Sequence, residues 1–464
     1  MNPGTRPKPN VLFVLADQLR GCSVGYAGEE SVRTPNLDAF AAAGTVCTNA
    51  VSPLPVCGPY RGSLLTGRTP TSTGLVLNDI ALGTTETSIA HCFNAAGYDT
   101  AYIGKWHLDG PNRLAPVPPG SRRQGFGYWM AANFEHNYDR SWYTDNAGER
   151  QIWPGWDAEA QTTHAIEYLR GRESGNPFCL FLSWGPPHHP YRLVPQHYLD
   201  MYDPADIEAR PNCPDMPRRD LWGYYAQTTF LDDQLRRLLD ALDDMGIGGE
   251  TVVVFTSDHG DMHGSHGVYK KQWPWNEALK VPFVLRYPGV VPASVRVDTP
   301  LSVIDVMPTL LGLAGLPIPD TVEGIDLSAV LRGEDEDGPA SVLIMNPCPF
   351  SIGDPRGDDQ YPDYKGMRLE YRGVVSRRHT YVRTIDRPWL LFDNVDDPYQ
   401  MRNLIDDEAS RDIREQLDGL MRAHMARIGD ELMPREFYYE RFGITFDHRG
   451  KVVDLVENMY DRDG

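Results

Sequence analysis

The stretch Asn10-Val11-Leu12-Phe13-Val14-Leu15-Ala16-Asp17-Gln18 is an unbroken apolar run that ends on a polar pair. Such a run reads as a strand, Asn10 to Leu15, buried on both faces, as strands of sheets covered by helices are. The arrangement recurs three times. Thr100–Ile103 is followed by Lys105 and His107, Phe178–Ser183 by His188, and Thr251–Thr256 by Asp258 and His259. Helical patterns stand between and beyond these strands: Asn36–Ala43, with Pro35 at its start and Gly44 at its end, then Thr87–Ala96, Ala158–Arg170, Leu221–Met245 and Trp275–Leu279. A further strand is read at Phe283–Arg286. The alternation predicts an α/β sheet with helices on both faces. Ligands in such sheets bind past the carboxyl ends of the strands, where all four polar clusters lie.

From about Pro347 the character changes. Gly353–Lys365 reads as a loop, Tyr371–Thr384 and Trp389–Phe392 as strands of a small antiparallel sheet, and Glu408–Met425 as an amphipathic helix. The tail, Arg435–Gly464, is aromatic and charged, a candidate cap for the site or a homo-oligomer contact. The expected division is residues 1–345, 346–434 and 435–464.

The 464 residues exceed one simple core but suit a large domain with a smaller partner. The net charge of −20 comes with no basic stripe, which argues against nucleic acid as a ligand. An anionic substrate must therefore be drawn in by local positive charge. No apolar span is long enough for a transmembrane helix. The start, Met1 to Asn10, lacks a signal-peptide apolar region, so a cytoplasmic location is expected unless a leader was removed. Seven cysteines are scattered without metal-site spacing, and the six besides Cys57 read as reduced packing residues.

Cys57 stands in Pro55-Val56-Cys57-Gly58-Pro59-Tyr60-Arg61-Gly62-Ser63-Leu64-Leu65-Thr66-Gly67-Arg68. This segment resembles the formylglycine signature of the type I sulfatases, of the alkaline phosphatase superfamily. Pro59, Arg61 and Leu64-Leu65-Thr66-Gly67 match it, whereas Tyr60 replaces a small residue and is expected to alter the pocket mouth. Gly97-Tyr98-Asp99-Thr100-Ala101-Tyr102-Ile103-Gly104-Lys105-Trp106-His107 resembles the second signature of the family. The resemblance covers roughly residues 10–430. It implies a large mixed, mostly parallel sheet with helices on both faces, plus a smaller C-terminal antiparallel-sheet subdomain. Residues 59–65 are expected to start a helix whose N-terminus faces the anionic substrate.

The resemblance also implies a chemistry. A formylglycine-generating enzyme would convert Cys57 to an aldehyde, whose hydrate offers one hydroxyl to attack sulfur and a second to expel sulfate. Arg61 would stabilise that hydrate. Lys105 would bind a sulfate oxygen, and His107 would be the base that opens the sulfated hemiacetal. In Pro187-His188-His189-Pro190, His188 is the expected acid for the leaving alcohol, with His189 as its competitor. Lys271 is the expected second sulfate-binding lysine, with Lys270 as the alternative. Asp17, Gln18, Asp258 and His259, together with residue 57, would hold one divalent ion, Ca2+ first, with Mn2+ or Mg2+ as alternatives. Gln18 and His259 are closer to the choline sulfatase and phosphonate monoester hydrolase pattern than to that of many arylsulfatases.

The implied activity is hydrolysis of sulfate esters, with a sulfated carbohydrate or small aryl sulfate as substrate. Asn78, Asp79, Arg122, Arg123 and His136, within Phe134-Glu135-His136-Asn137-Tyr138, are the candidate substrate contacts. Two rivals stand beside this reading. One is a phosphonate monoester or phosphodiester hydrolase using the same site; the other is a binding protein that holds sulfated ligands without turnover.

Overall fold

The computed structural model describes residues 7–335, 337–349, 369–446 and 452–453. Strand β1 (Asn10–Asp17) runs through the middle of a ten-stranded sheet. Its side chains alternate between two cores, Val11, Phe13 and Leu15 in one and Leu12, Val14 and Ala16 in the other. The remaining strands are β2 (Thr45–Cys47), β3 (Asp99–Lys105), β4 (Tyr128–Ala132), β5 (Trp142–Thr144), β6 (Arg150–Ile152), β7 (Phe178–Pro187), β8 (Thr251–Ser257), β9 (Phe283–Arg286) and β10 (Val295–Val297). They lie in the order β10-β2-β9-β8-β1-β7-β3-β4-β5-β6. From β8 through β1, β7 and β3 to β4 every pairing is parallel. Antiparallel β9 on one side and β5 and β6 on the other make the sheet mixed.

Helices cover both faces, as the alternation predicts. On one side lie α1 (Pro35–Ala42), α4 (Asp157–Arg170) and α5 (Arg218–Asp244), which bury Phe40, Leu169 and Leu235 against the sheet. On the other lie α2 (Cys57–Thr66), α3 (Ile89–Ala95) and α6 (Val306–Leu313). Helix α6 is not read from sequence because it is buried nearly all round, and a helix without a polar face shows no 3.6-residue period. Tyr60 is corrected: it is 2% exposed and packs into the core of α2 and α6, so it does not shape the pocket mouth.

The small sheet comprises β11 (Ser341–Asn346), β12 (Tyr371–Ser376), β13 (His379–Thr384) and β14 (Pro388–Asp393), all antiparallel. Strand β11 places the start of this sheet at Ser341, so the expected division after residue 345 falls inside a strand. All six β11 residues are buried, and an apolar run of this kind reads equally as a strand of either sheet. Helix α7 (Arg411–Ile428) packs Leu417 and Met421 against one face. The other face meets Met262, Trp273 and Trp275, on the segment that carries Lys271. Helix α8 (Arg435–Arg441) begins the tail and buries Tyr438, whose hydroxyl accepts from Arg372. The expected loop Gly353–Lys365 lies outside the described residues. No described helix is long and apolar enough to cross a membrane, and all seven cysteines are free thiols.

One buried ionic network stands directly behind the loop after β1. Glu30 Oε1 lies 2.8 Å from Arg20 Nη2 and 3.4 Å from Arg210 Nη1, and Arg210 Nε lies 3.3 Å from Glu277 Oε1. Burial raises the Glu30 pKa, but the two guanidinium groups outweigh it and hold the carboxyl at about 2. A depressed carboxyl pKa stabilises the fold above its unfolded value of 4.5, and the contribution is lost as pH falls toward 2. Glu30→Gln takes from Arg20 its carboxylate partner, while Arg210 keeps Glu277, and should destabilise by about 3 kcal/mol. Unfolding measured from pH 7 downward should show that difference shrink below pH 4.5; a constant gap would remove Glu30 from the acid sensitivity.

Candidate active site

Because β1, β3, β7 and β8 run parallel, their carboxyl ends open on one edge of the sheet. Ala16 is registered against Ser257, which makes Asp17 and Asp258 neighbours. Lys105 ends β3, His188 follows β7, and Asp258 and His259 follow β8. Helix α2 starts at Cys57 and points its N-terminus into this cluster. The positive end of its backbone dipole favours negative charge there. Gly58 N–H donates to Asn78 Oδ1 at 2.8 Å, and a Cβ on Gly58 would press on that oxygen and on the His107 carbonyl.

The expected residues converge on Cys57 Sγ. Lys271 Nζ lies 3.0 Å away, His259 Nε2 3.2 Å, Asp17 Oδ1 3.7 Å and Lys105 Nζ 3.9 Å. Arg61, buried on α2, donates to Asp17 Oδ2 at 3.0 Å and to Asp258 Oδ2 at 3.1 Å. Its other nitrogen donates to the Lys105 carbonyl and to Ser183 Oγ. Lys105 Nζ also meets Asp17 Oδ2 at 2.5 Å. His188 Nε2 lies 3.4 Å from Lys271 Nζ. Of the two lysines left open by sequence, Lys271 is buried at the cluster and Lys270 is exposed. Of the two histidines, His188 is the one facing Lys271.

Two imidazoles have their orientation fixed by backbone. His259 Nδ1 faces the Gly260 carbonyl and His188 Nδ1 the His189 carbonyl, each at 2.9 Å. A carbonyl can only accept, so each Nδ1 carries the proton and each Nε2 is directed into the site. Burial and Asp17 push the Cys57 thiol up, but Lys105, Lys271 and His259 outweigh them and hold it well below the usual thiol range. Burial likewise raises Asp17, yet Lys105, His188 and Arg61 keep it well below the carboxylate range. Asp258 is pushed up to about 6 by burial and by the adjacent Asp17 charge. Burial, with His136 and Lys271, depresses His188.

Asp17, Cys57, Asp258 and His259 present ligand atoms within 4.8 Å of one another, all buried. Two carboxylates, an imidazole and a fourth donor in so small a volume fit a divalent cation, which would offset the desolvation of both anions. Gln18 joins them through a contact not legible in sequence. Its Nε2 donates to Asp261 Oδ2 at 2.5 Å, which turns Oε1 toward Lys271 Nζ, 3.4 Å away. Asp261 also accepts from Tyr191 Oη at 2.6 Å and from the N–H groups of His263 and Lys270.

The candidate substrate contacts divide. Asn78 is committed to Gly58. Asp79 pairs with Arg113 and lies 3.6 Å from His107 Nε2, and Arg122 pairs with Asp109. Arg123 is buried and donates to the Asn146 carbonyl. His136 is the member beside the cluster, its ring centroid 4.2 Å from that of His188.

A family model described as Sulfatase matches residues 9–316. The chain belongs to the sulfatase family. An ulvan-active sulfatase of Formosa agariphila is 40% identical over 459 residues, covering 97% of this chain and 87% of that protein. A solved structure from Bacteroides thetaiotaomicron, described under its metabolism of multiple glycosaminoglycans, is 29% identical. It superposes with a TM-score of 0.83 over 94% of this chain and 98% of its own. The phosphonate monoester hydrolase of Agrobacterium radiobacter, 22% identical, shares the fold with a TM-score of 0.72 over 96% of this chain and 99% of its own. This sulfatase is accordingly a sulfuric ester hydrolase, with an alkaline phosphatase-like architecture.

Outer partners of ligands tune metal affinity by about 10–100-fold. Asp261→Ala releases Gln18 together with the turn that delivers Lys271. Titration with a metal-competitive chelating dye should show divalent-ion affinity reduced to that extent. Unchanged affinity would mean that Gln18 is no ligand.

Proposed function

We propose that this sulfatase desulfates a sulfated polysaccharide, with Cys57, converted to formylglycine, as the nucleophilic centre and one Ca2+ as cofactor. The convergence of Lys271, His259, Asp17 and Lys105 within 3.9 Å of Cys57 Sγ carries this reading. Sugar as the alcohol half is supported by the ulvan-active relative and by the glycosaminoglycan context of the structural neighbour. The carboxylates of Asp17 and Asp258 and the amide oxygen of Gln18, three oxygen donors against the one nitrogen of His259, support calcium over softer ions.

The hydrated aldehyde supplies two geminal hydroxyls and the bound cation supplies Lewis acidity toward them and the sulfate. The rest is done by side chains. Lys105 and Lys271, 3.9 and 3.0 Å from Cys57 Sγ, bind the non-bridging sulfate oxygens and take up charge as the S–O bond breaks. Arg61 holds Asp17 and Asp258 ionised and oriented. His188, whose Nε2 lies 3.4 Å from Lys271 Nζ, delivers the proton to the departing alcohol. A substrate anion among these groups opposes the depression of His188 and so favours its protonated form. His107, whose carbonyl packs on Gly58, takes the proton that residue 57 gives up when sulfate leaves.

Cys57→Ala should lower kcat/KM for an aryl sulfate by about 10^4-fold or more with an unchanged unfolding profile. Mass spectrometry of the peptide spanning residue 57 should find aldehyde in the active enzyme and thiol in an inactive fraction. Near-normal turnover by the alanine variant would sink the aldehyde reading. An aryl phosphonate monoester compared on the same preparation reads the rival activity directly.

His188→Ala separates acid catalysis from binding. Alkyl sulfates, with poor leaving groups, should lose about 10^2–10^4-fold in kcat, and activated aryl sulfates far less. Equal losses on both would reassign His188 to sulfate binding.

A further inference from the structure

A cavity of about 650 Å³ adjoins the nucleophile cluster on the side of His189. It shares a wall with the site, because Tyr191 and Asp261, which orient Gln18, line it too. His189 is the residue after the expected proton donor and Lys270 the residue before the buried Lys271. The alcohol half of an ester held by His188 and Lys271 therefore has this cavity next to it. The volume is in the range of small-ligand sites, about 300–1,000 Å³.

The lining is of a kind that suits a sugar. Trp222 is half-buried, and its indole N–H donates to the Leu199 and Tyr202 carbonyls at 2.9 and 3.1 Å, so the ring is fixed before any ligand arrives. Tyr269 adds a second aromatic ring to the lining. Arg192 and Lys270 are exposed cations, and among the described residues neither has a carboxylate within ion-pair distance. Asp220 is exposed in the same lining and suited to accept from sugar hydroxyls. Asp261 stays ionised, its carboxyl held below the usual range against burial, in part by the bond from Tyr191, and its oxygens are turned to Gln18, Tyr191 and two backbone N–H groups, so the two exposed cations are the groups left to meet a ligand anion.

We propose that this cavity is a subsite for the sugar ring neighbouring the one that carries the scissile sulfate, with an acidic substituent of that ring held between Arg192 and Lys270. The inference rests on the polysaccharide sulfatase reading and narrows it to substrates bearing a second anion, carboxylate or sulfate, on the adjoining residue. Trp222 and Tyr269 supply the ring contact and Asp220 accepts a hydroxyl.

The test uses Arg192→Ala, Lys270→Ala and Trp222→Ala in the full-length, metal-replete enzyme. Substrates are 4-nitrophenyl sulfate and three sulfated oligosaccharide sets whose ring next to the sulfated one is a uronate, a second sulfated sugar or a neutral sugar. The expected result is a loss in kcat/KM of about 10-fold or more on an anionic set, carried by KM, for the two cation variants. Activity on 4-nitrophenyl sulfate should stay within about twofold of wild type, since a small aryl ester does not reach the cavity. A loss on the uronate set alone, or on the disulfated set alone, identifies the anion. Equal losses on the neutral set, or a wild-type enzyme that cleaves no anionic set better than the neutral one, would overturn the subsite. Failure of the wild type on every sulfate ester would overturn the parent reading instead.

Discussion

The buried guanidinium of Arg61 is the constraint on which the site depends. Parallel register sets Asp17 and Asp258 side by side at the ends of β1 and β8, in a region closed to solvent. Two carboxylates so placed repel, and burial disfavours charge on both. Arg61 contacts both at about hydrogen-bond distance, and Lys105 adds a second cation to Asp17. The same side chain ties α2 to the end of β3 through the Lys105 carbonyl and to β7 through Ser183. Charge compensation and the placement of Cys57 are thus one interaction, made by a residue four positions further along the same helix.

Around that centre the backbone is held in unusual conformations. Gln18, Asp79, His107, Lys270 and Gln272 all have positive φ without being glycine. Each such residue costs of order 1–3 kcal/mol unless its surroundings impose it. Here the surroundings do so. Gln18 N–H donates to Asp258 Oδ1 and its carbonyl accepts from Tyr224, while Lys270 N–H donates to Asp261. The left-handed turn at Gln18 lets consecutive residues of one strand end, Asp17 and Gln18, both face the cluster. The turn at Lys270 sends Lys271 inward and Lys270 out. One short chain segment thereby gives the cluster around Cys57 and the adjoining cavity two lysines of different burial.

What was legible in the sequence follows from the range of the forces involved. The strands and the polar residues past them are local patterns, and their meeting follows from parallel pairing. So Asp17, Lys105, His188, Asp258 and His259 could be placed before any coordinates. Direction was not legible: the Phe283–Arg286 run reads as a strand in either orientation and lies antiparallel to β8. Helix α6 and strand β11 carry no amphipathic period because burial surrounds them. Asp261 lies in an ordinary-looking turn, and only the fold shows that it bonds a glutamine 243 positions earlier. The partners of Asn78, Asp79 and Arg122 are not legible either, because sequence does not say which neighbour reaches a polar side chain first. The direction of Tyr60 is illegible for the converse reason, since a large residue in the helix that carries Cys57 faces the core as readily as the pocket.

The net charge of −20 and an anionic substrate are reconciled by distance. At physiological ionic strength the Debye length is about 8 Å, so exposed carboxylates spread over the surface are largely screened at the site. The cations around Cys57 act at 3 to 4 Å within a buried pocket, where screening is weak and Coulomb energies are several times those in water. The N-terminus of α2 contributes in the same direction. An anionic ester entering this pocket would meet a handful of short-range contacts that the total charge does not register. The same reasoning limits how a long anionic polymer can bind. Beyond the pocket it meets an acidic surface, and its next anionic group is tolerated only where exposed cations stand. Arg192 and Lys270, at the edge of the adjoining cavity, are in that position.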